Sequence, residues 1–364
     1  SKPMGNAATC QNLCSKKNPK GDDTGELVSR RDFKEHHAIG RGGFGKVLKV
    51  EKDGKMYAMK EMLKARVMAK KSVDSVKREL ELMQMIDSDF IVNVHWAFVD
   101  DQNLYLVMDL MEGGDLRYHH LQVRKFPQET TQFFLACLIQ ALEDTHERRV
   151  IHRDIKPENL VFDSNGYLRL TDFGIAQIWV EENSSENSGT PGYMAPEVMF
   201  KQNHGITADY FAVGVIGYEC IMGRRPYLGR SRKEIRESIL NKQAGIRERD
   251  LPMGYSREAA DFVNRCLKRM PAQRLGINGI EDLKGHPWFK KFDWEGLRQK
   301  TLKPTYIPDI KQNNFDDNHV NNRGWNDTEE IQEQQKILNR VSQKTVFESY
   351  YFDKNKKLPT QSTQ

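Results

Sequence analysis

The main change in the pattern of apolar residues along the chain lies near Gly113-Gly114. From residue 33 to about residue 107, short β-branched and aromatic runs alternate with turn residues, which is typical of strands. Residues 73–83 break that pattern, because their apolar side chains recur three and four positions apart, as on one helix. After the two glycines the pattern is mostly helical, for example over residues 130–147. The sequence therefore predicts an α+β fold with a small β-rich N-lobe that carries one key helix, and a larger, mainly helical C-lobe.

Length and composition are those of a folded protein with two lobes, or two domains, plus tails. The chain has 364 residues, of which 38% are hydrophobic and 29% charged, as in globular domains. No apolar run reaches the about 18 residues of a membrane span, and no secretory leader is recognisable, so we expect a cytoplasmic protein. Five scattered cysteines argue against a disulfide framework or a zinc site. The net charge of +5 is too small to indicate nucleic acid as a partner, and we expect a monomeric core.

We expect residues 1–30 to form a flexible arm, because they are polar and lack apolar periodicity. Met4-Gly5 opens a match to the N-myristoylation pattern M-G-x-x-x-[ST], and Cys10 and Cys14 offer sites for a second acyl chain. Ser1-Lys2-Pro3 precede the match and are interpreted as residues added in cloning. Two interpretations stay open, acylation of Gly5 with weak membrane association and a chance match.

A glycine-rich loop lies near the start of the predicted N-lobe. It reads Gly40-Arg41-Gly42-Gly43-Phe44-Gly45-Lys46-Val47, the pattern G-x-G-x-x-G-x-V. Because glycines carry no side chain, the backbone N–H groups of such a loop can approach phosphate oxygens closely. A dinucleotide-binding oxidoreductase uses similar glycines but needs a helix directly after the loop, whereas a β-rich segment follows here.

A lysine and a glutamate downstream suit the same phosphates. Ala58-Met59-Lys60 matches the V-A-I-K strand, whose lysine meets the α- and β-phosphates of a nucleotide. Glu79, on the predicted helix, is the candidate ion-pair partner of Lys60, and Glu81 is its rival. Taken singly, Lys60 could be a solvated strand lysine and Glu79 a surface glutamate.

Three further motifs follow in order. They are V-I-H-R-D-I-K-P-E-N at 150–159, T-D-F-G at 171–174 and A-P-E at 195–197. With the glycine loop and the Lys60 strand, they resemble the catalytic-loop, metal-binding and activation-segment motifs of the eukaryotic protein kinases. The resemblance implies a bilobal kinase domain over residues 31–289, with its N-lobe at about 31–108 and its C-lobe at about 112–289. It also implies transfer of the γ-phosphate of ATP to a protein hydroxyl, with Mg²⁺ as the metal.

The resemblance further implies a role for each motif residue. Asp154 would accept or orient the hydroxyl proton, and Asn159 and Asp172 would hold Mg²⁺. Lys156 looks like the serine/threonine-kinase lysine that balances the γ-phosphate charge, and Thr190 like the threonine that bonds the catalytic Asp and Lys. The nucleotide site would comprise Gly40, Gly42, Gly43, Phe44, Gly45, Val47, Ala58, Lys60, Glu79, Met108, Asp109, Met111 and Phe315.

Within that site, adenine would lie under Val47 and Ala58 and bond the hinge backbone from Asp109 to Met111, with Met108 as gatekeeper. Each of these apolar residues would otherwise suit an ordinary core. By the same resemblance, Glu197 and Arg274 would form a buried pair, and Asp209 would brace the catalytic loop. These last two are structural assignments.

The polar tail at 290–364 either wraps the lobes or stays disordered. Tyr306-Ile307-Pro308, the N-F-D-D segment at 314–317, which contains Phe315, and the aromatic run at 347–352 resemble the tail of the AGC group, the kinases related to the cAMP-dependent enzyme. Within that group, short stretches at 113–119 and 223–227 look most like the YANK subfamily.

Two positions depart from the AGC pattern. Glu186 stands where the group usually carries a phosphorylatable threonine, and Tyr351 where many members carry Ser or Thr in the hydrophobic motif. We hypothesise that Glu186 partly mimics phosphothreonine by offering a carboxylate to Arg153, although a phosphate carries more charge. The alternative is a solvated Glu186 with regulation at the serines of this segment, Ser184, Ser185 or Ser188.

Asp115, Glu158 and Glu237 match AGC positions that recognise arginines upstream of the phosphoacceptor, or are ordinary surface acids. They predict protein substrates that are basic around the phosphosite. Gly192 replaces a common glutamate and weakens the case for far-upstream arginines. Besides an active kinase, two other classes stay open, a pseudokinase-like scaffold and a dinucleotide-binding oxidoreductase.

Overall fold

The structure is a computed structural model that describes residues 27–182, 188–310, 314, 329–338 and 346–356. Its strands are β1 Lys34–Arg41, β2 Gly45–Lys52, β3 Lys55–Leu63, β4 Val94–Val99, β5 Asn103–Asp109, β6 Val150–Ile151, β7 Leu160–Phe162, β8 Leu168–Leu170, β9 Gln177–Ile178 and β10 Phe352–Asp353. Its helices are α1 Lys64–Ala69, α2 Val73–Met85, α3 Leu116–Val123, α4 Gln128–His146, α5 Pro196–Met199, α6 Thr207–Met222, α7 Arg232–Asn241, α8 Arg257–Cys266, α9 Glu281–Lys284, α10 Trp294–Arg298 and α11 Glu329–Leu338. None of the helices in these ranges is both long enough and apolar enough to span a membrane.

The N-lobe is built on one antiparallel sheet with the strand order β1-β2-β3-β5-β4-β10. Asp53-Gly54 joins β2 to β3 with both residues at positive φ, 52° and 75°, the backbone of a tight Asp-Gly hairpin. The register sets Val47 opposite Lys60 and Ala58 opposite Met108. Directly paired residues share a face of the sheet, as do residues two apart on a strand. All four side chains therefore lie on the same face.

The helix predicted at 73–83 is α2, and its apolar stripe packs on the N-lobe core. Val76, Leu80 and Met83 are buried, as the spacing of three and four residues requires. The α+β prediction is confirmed, because α1 and α2 are the helices described among the first five strands, whereas helices dominate from α3 onwards.

Two helices carry the core of the C-lobe. The helix predicted at 130–147 is α4, which contacts α6. α6 is buried along almost its whole length, from Thr207 to Ile221, and its sequence is accordingly apolar on every side. It ends at Gly223, whose φ of 73° gives the left-handed cap for which glycine is favoured.

The described parts of the C-terminal tail pack on both lobes: Tyr306 bonds His119 of the C-lobe helix α3, and the last described residues lie on the N-lobe. β10 pairs antiparallel with β4 and extends the sheet, and α11 contacts α1. Phe347 and Tyr350 are only 1% and 2% exposed and belong to the same apolar core as α2. Of the two alternatives for the tail, wrapping of the lobes therefore holds for its described parts.

Candidate active site

The glycine-rich loop joins β1 to β2 and fits closely over β3. A Cβ atom at Gly45 would lie 1.6 Å from the carbonyl oxygen of Glu61, so only glycine fits at this position. The Gly42 N–H donates to the Gly45 carbonyl at 2.8 Å. Lys70, at the end of α1, donates from Nζ to the Gly43 carbonyl at 2.7 Å and lies over the Phe44 ring. The loop tip is thus held by a lysine that the sequence patterns did not indicate.

Lys60 projects from β3 into an ion pair with α2. Its Nζ lies 2.8 Å and 3.0 Å from the two carboxylate oxygens of Glu79, whereas Glu81 is exposed. Burial lowers the pKa of Lys60, but the charges of Glu79 and Asp172 outweigh burial and raise it above its ordinary value. Lys60 is therefore a cation at neutral pH, positioned by the helix and the sheet together.

Asp172 supplies a second charge near Lys60. Its backbone has a φ of 68°, a conformation that is uncommon for residues other than glycine. Reduced hydration raises the pKa of Asp172, but the charges of Lys60 and His152 outweigh this effect and hold it below its ordinary value. The carboxylate is therefore ionised at neutral pH, as a ligand of a divalent cation must be.

Asp154 lies at the centre of a hydrogen-bonded group between the catalytic loop and the activation segment. One carboxylate oxygen, Oδ1, accepts from Thr190 Oγ1 at 2.6 Å and from the Thr190 N–H at 3.0 Å. The other, Oδ2, accepts from Lys156 Nζ at 2.6 Å. Asn159 donates from Nδ2 to the Asp154 carbonyl at 2.8 Å. These bonds fix both the backbone and the carboxylate of Asp154.

A buried carboxylate on α6 supports the catalytic loop from behind. Asp209 accepts from the N–H groups of His152 and Arg153 at 3.0 Å and 2.9 Å, and His146 Nε2 lies 2.9 Å from it. Burial raises the pKa of Asp209, but the hydrogen bond and charge of His146 lower it below its ordinary value. Arg153 has a φ of 67°, so Asp209 stabilises an uncommon backbone conformation directly before Asp154.

Glu197 and Arg274 tie the end of the activation segment to the C-lobe. Arg274 donates from both Nη atoms to the two Glu197 oxygens, at 2.5 Å and 2.8 Å. The side chains are 0% and 2% exposed for Arg274 and Glu197. The pair is bidentate, the geometry for which arginine is suited and lysine is not.

The three acids assigned to substrate recognition lie in different surroundings. Asp115 caps α3, with its Oδ1 accepting from the Tyr118 N–H at 2.8 Å. Glu158 lies on the short helical turn at Pro157–Asn159 and accepts from Arg117 Nε at 2.9 Å. Glu237 is exposed on α7.

Arg117 also reaches a fourth acid that sequence reasoning missed. Its Nη1 donates to Glu219 of α6 at 2.8 Å, and its Nη2 bonds the Tyr193 hydroxyl. Glu219 is, with Asp209, one of two acids in the largely apolar sequence of α6, and a carboxylate in such a helix must find a partner, because a buried unpaired charge is strongly unfavourable. That signal was available in the sequence, although it could not identify Arg117.

The tail reaches the hinge at one described residue. Asn314 is buried and donates from Nδ2 to the carbonyls of Glu112 and Asp309 at 3.3 Å and 2.9 Å. Its backbone oxygen lies so close to Gly114 that a Cβ there would come within 2.3 Å. Phe315 follows directly but lies outside the described residues, as do Ser184, Ser185, Glu186 and the proposed acylation sites Gly5, Cys10 and Cys14.

Tyr351 lies between the buried Tyr350 and β10. It packs against the N-lobe cluster around Phe33 and Trp96, and its hydroxyl is buried without a hydrogen-bond partner among the described residues. A modifying enzyme could not reach this hydroxyl while the tail is docked.

Comparison with known proteins decides the family. Residues 33–289 match the family model described as protein kinase domain. The chain belongs to the protein kinase family. It is 37% identical over 288 residues to a probable serine/threonine-protein kinase of Dictyostelium discoideum, a match that covers 78% of this chain and 62% of that protein. It is 36% identical to ribosomal protein S6 kinase alpha-2 of Homo sapiens and 35% identical to the cAMP-dependent protein kinase catalytic subunit of D. discoideum, over 78% and 77% of this chain and 39% and 43% of those proteins.

These relatives confirm the resemblance to AGC kinases that the tail motifs indicated. The chain spans about three fifths of the length of the first relatives it matches, 62%, 59% and 61%. The similarity to the YANK subfamily stays a prediction.

Proposed function

We propose that this chain is an active protein serine/threonine kinase, with residues 31–289 as catalytic domain and residues 290–364 as a tail that completes it. The observation that carries the proposal is the environment of Asp154, which Thr190 bonds at one carboxylate oxygen and Lys156 at the other. The Asp154 carboxylate accepts or orients the proton of the substrate hydroxyl. Lys156 places a cation beside the position where charge develops on the transferred group.

Lys60, Glu79 and the hinge form the nucleotide site in this proposal. Lys60 stabilises the α- and β-phosphates, and the loop with Gly40, Gly42, Gly43, Phe44 and Gly45 covers them. The shared face of Val47, Ala58 and Met108 receives adenine. The Asp109 N–H already donates to the Asn93 carbonyl at 3.1 Å, so the hinge offers adenine the Asp109 carbonyl and the backbone of Met111. Phe315 supplies a further wall.

The donor set fits Mg²⁺. The described residues contain no group of three or more His, Cys, Asp or Glu side chains that could hold a metal, whereas Mg²⁺ is usually bound by one or two carboxylates together with substrate phosphates. Asp172 is an ionised carboxylate, and Asn159 keeps its amide oxygen for a ligand because Nδ2 is bonded to Asp154. When bound, Mg²⁺ neutralises charge on the β- and γ-phosphates of ATP.

The test is phosphate transfer from ATP and Mg²⁺ to serine, threonine and tyrosine peptides. We expect turnover on serine and threonine, and a fall of about 100-fold or more in kcat for Asp154→Asn, as for loss of a general base. Asp101→Asn makes the same chemical change at an exposed position and should leave kcat unchanged. A wild-type protein that binds ATP but gives no turnover would instead support the pseudokinase-like scaffold.

The oxidoreductase hypothesis lacks structural support. The last glycine of the loop, Gly45, opens β2 rather than a helix, and a dinucleotide fingerprint needs the helix. Binding of NAD(H), followed by fluorescence, is the direct check and should be absent.

We further propose that protein substrates carry arginine upstream of the phosphoacceptor. Asp115 and Glu158 support this preference because both flank the catalytic loop, Asp115 through a bridge to Val161 and Glu158 two residues after Lys156. Glu158 also bonds Arg117 and Asp115 also accepts from the Tyr118 N–H, so a substrate arginine would share either carboxylate with a group of the protein. A peptide array without any gain from upstream arginine would refute it.

For activation, we propose that Glu186 offers its carboxylate to Arg153 in place of a phosphothreonine. Arg153 is a buried cation, 8% exposed, and its Nε donates to the Ile175 carbonyl at 2.8 Å, which ties it to the start of the activation segment. Mass spectrometry and activity after phosphatase treatment test the idea. We expect full activity without phosphate, and a large loss would show that a serine of this segment, Ser184, Ser185 or Ser188, carries a required phosphate.

For location, we propose a monomeric catalytic core with weak membrane association through acylation of Gly5 and of Cys10 or Cys14. A single acyl chain binds membranes only marginally, so two are needed. Partition of the full native chain and a Gly5→Ala variant between cytosol and membranes tests this, and equal partition would refute it.

A further inference from the structure

Arg117, Glu158, Tyr193 and Glu219 form a hydrogen-bonded group beside the catalytic loop, which we name the Arg117 cluster. Arg117 lies on the first turn of α3, and its guanidinium meets three other elements. Nε bonds Glu158 of the catalytic loop at 2.9 Å, Nη1 bonds Glu219 of α6 at 2.8 Å, and Nη2 bonds the Tyr193 hydroxyl. Tyr193 in turn donates to Glu219 at 2.5 Å.

The Arg117 cluster adjoins the reacting residues at two points. Glu158 lies two residues beyond Lys156 and directly before Asn159, which bonds the Asp154 carbonyl. Tyr193 follows Thr190 by three residues, and its N–H donates to the Thr190 carbonyl at 3.2 Å. An extended substrate with its hydroxyl at Asp154 therefore passes this acidic group.

Exposure and charge decide what the acidic group can bind. Glu219 is 6% exposed and Glu158 42%, with Arg117 at 21%. An incoming guanidinium can meet Glu158 at its solvent side but cannot reach Glu219 without displacing Arg117. Burial lowers the pKa of Arg117, but its bonds to Glu219 and the nearby negative charges raise it well above its ordinary value. Arg117 thus occupies, as a cation, a site built from two carboxylates.

A second arginine of this chain, Arg225, contacts the residues that follow Thr190. Arg225 lies over the Tyr193 ring, 5.9 Å from its centroid, and a Cβ at Gly192 would come within 2.7 Å of Arg225 Nη1. Two cations of the protein itself, Arg117 and Arg225, therefore contact the residues after Thr190, and the space beside Gly192 is filled by Arg225.

We propose that Arg117 is a specificity-determining residue that takes the place of a substrate arginine between Glu158 and Glu219. The inference rests on the proposed kinase activity and deepens it. In the wild-type protein, arginine at the upstream substrate position that faces the Arg117 cluster raises kcat/KM only a little. Removal of Arg117 opens a bidentate, charge-assisted site at that position and creates a preference for arginine there.

The experiment compares peptides that differ only by arginine or its uncharged isostere citrulline, at each upstream position in turn. The readout is the ratio of kcat/KM for the two peptides. The enzymes are the full chain, Arg117→Ala, Arg117→Met, which keeps an apolar stem for packing, and Arg257→Ala. Arg257 lies on α8, is exposed and pairs with Glu248, so its variant loses the same charge elsewhere.

We expect the Arg117 variants to raise the arginine-to-citrulline ratio at one upstream position by on the order of tenfold, the effect of a hydrogen bond to a charged group. Arg257→Ala should give the wild-type profile. Millimolar methylguanidinium should abolish the new preference in the Arg117 variants by refilling the site and leave the wild-type profile unchanged. If Arg117 had a merely structural role, its removal would lower kcat/KM for all peptides alike and leave every arginine-to-citrulline ratio unchanged.

The outcomes separate this inference from the proposed substrate preference. A folded Arg117 variant with the wild-type profile overturns the inference, whether or not the wild type prefers arginine elsewhere. A variant that gains arginine selectivity while the wild type has none supports the inference and refutes the proposed wild-type preference. Should both Arg117 variants fail to fold, Glu158→Gln decides. A fall in any arginine-to-citrulline ratio would mean that Glu158 binds substrate arginine in the wild type, against the inference, whereas unchanged ratios support it.

Discussion

The buried Glu197–Arg274 pair gives the most quantitative prediction about stability. Besides its two bonds to Glu197, Arg274 donates to the carbonyls of Lys268, Thr207 and Arg269 at 3.0, 2.8 and 3.2 Å. Arg274→Met breaks the ion pair, which costs about 3–5 kcal/mol when one buried charge is left alone. It also removes the donor from three carbonyls, at about 1 kcal/mol each. The expected total of about 6–8 kcal/mol is comparable to the whole stability of a typical domain.

Glu197→Gln isolates the charge contribution. It keeps the three carbonyl bonds of Arg274 and leaves a buried cation, so we expect a loss of about 3 kcal/mol. In the double variant no buried charge remains, and the loss should not exceed that of Arg274→Met alone. Urea unfolding followed by fluorescence measures all three. Glu248→Gln is the matched control, because Glu248 pairs with Arg257 at the surface, where both are more than 60% exposed, and should cost less than about 1 kcal/mol. Strict additivity of the two single variants would refute the reasoning.

Three further predictions concern the tail and the hinge. Phe347→Ala should release the end of the tail, because Phe347 is 1% exposed and such a truncation costs about 3–5 kcal/mol. The release should be measurable as faster proteolysis and a lower kcat. Glu348→Ala, at the exposed neighbouring position, should change neither the proteolysis rate nor kcat. Tyr351→Phe should leave the melting temperature unchanged or raise it, since its hydroxyl is buried without a partner among the described residues. Burial raises the pKa of Asp109, but the hydrogen bond from His95 and other contacts lower it from 3.8 to about 2. The ionised carboxylate thus contributes stability that is present above about pH 4 and lost as pH falls toward 2. Asp109→Asn should therefore be less stable than the wild type by about 2 kcal/mol near pH 7. Urea unfolding at several pH values measures the difference in unfolding free energy between the two proteins, and a difference that does not narrow below pH 4 would contradict this prediction.

The local periodicity of the sequence was sufficient to predict the lobes and α2. It was also sufficient to decide which glutamate, Glu79 or Glu81, pairs with Lys60. At 100° per residue, Glu79 lies about 60° from Val76 around the helix, whereas Glu81 lies about 140° away. Only Glu79 is therefore at the edge of the buried stripe, where a side chain can reach the sheet. The structure agrees, with Glu79 4% exposed and bonded to Lys60.

Contacts between distant segments could not be predicted in the same way. Arg117 and Glu219 are 102 positions apart, and no pattern pairs an exposed-looking arginine of α3 with one acid of α6. Lys70 likewise contacts the Gly43 carbonyl only because α1 follows β3 directly and brings its end under the loop. β10 is a two-residue strand whose pairing depends on the free edge of β4, and so short a run carries no periodicity of its own.

The described contacts also limit what the activation segment can change. Before residues 183–187, β9 pairs with β6 and Ile175 accepts from Arg153. After them, Thr190 bonds Asp154 and Glu197 bonds Arg274. Both flanks are thus anchored to the C-lobe by contacts that need no phosphate. Because a charge shifts an equilibrium only between states with which it interacts differently, the proposed role of Glu186 does not extend to the hydrogen bonds of Asp154, which involve residues outside 183–187. This is the physical reason to expect an activity that phosphatase treatment leaves intact.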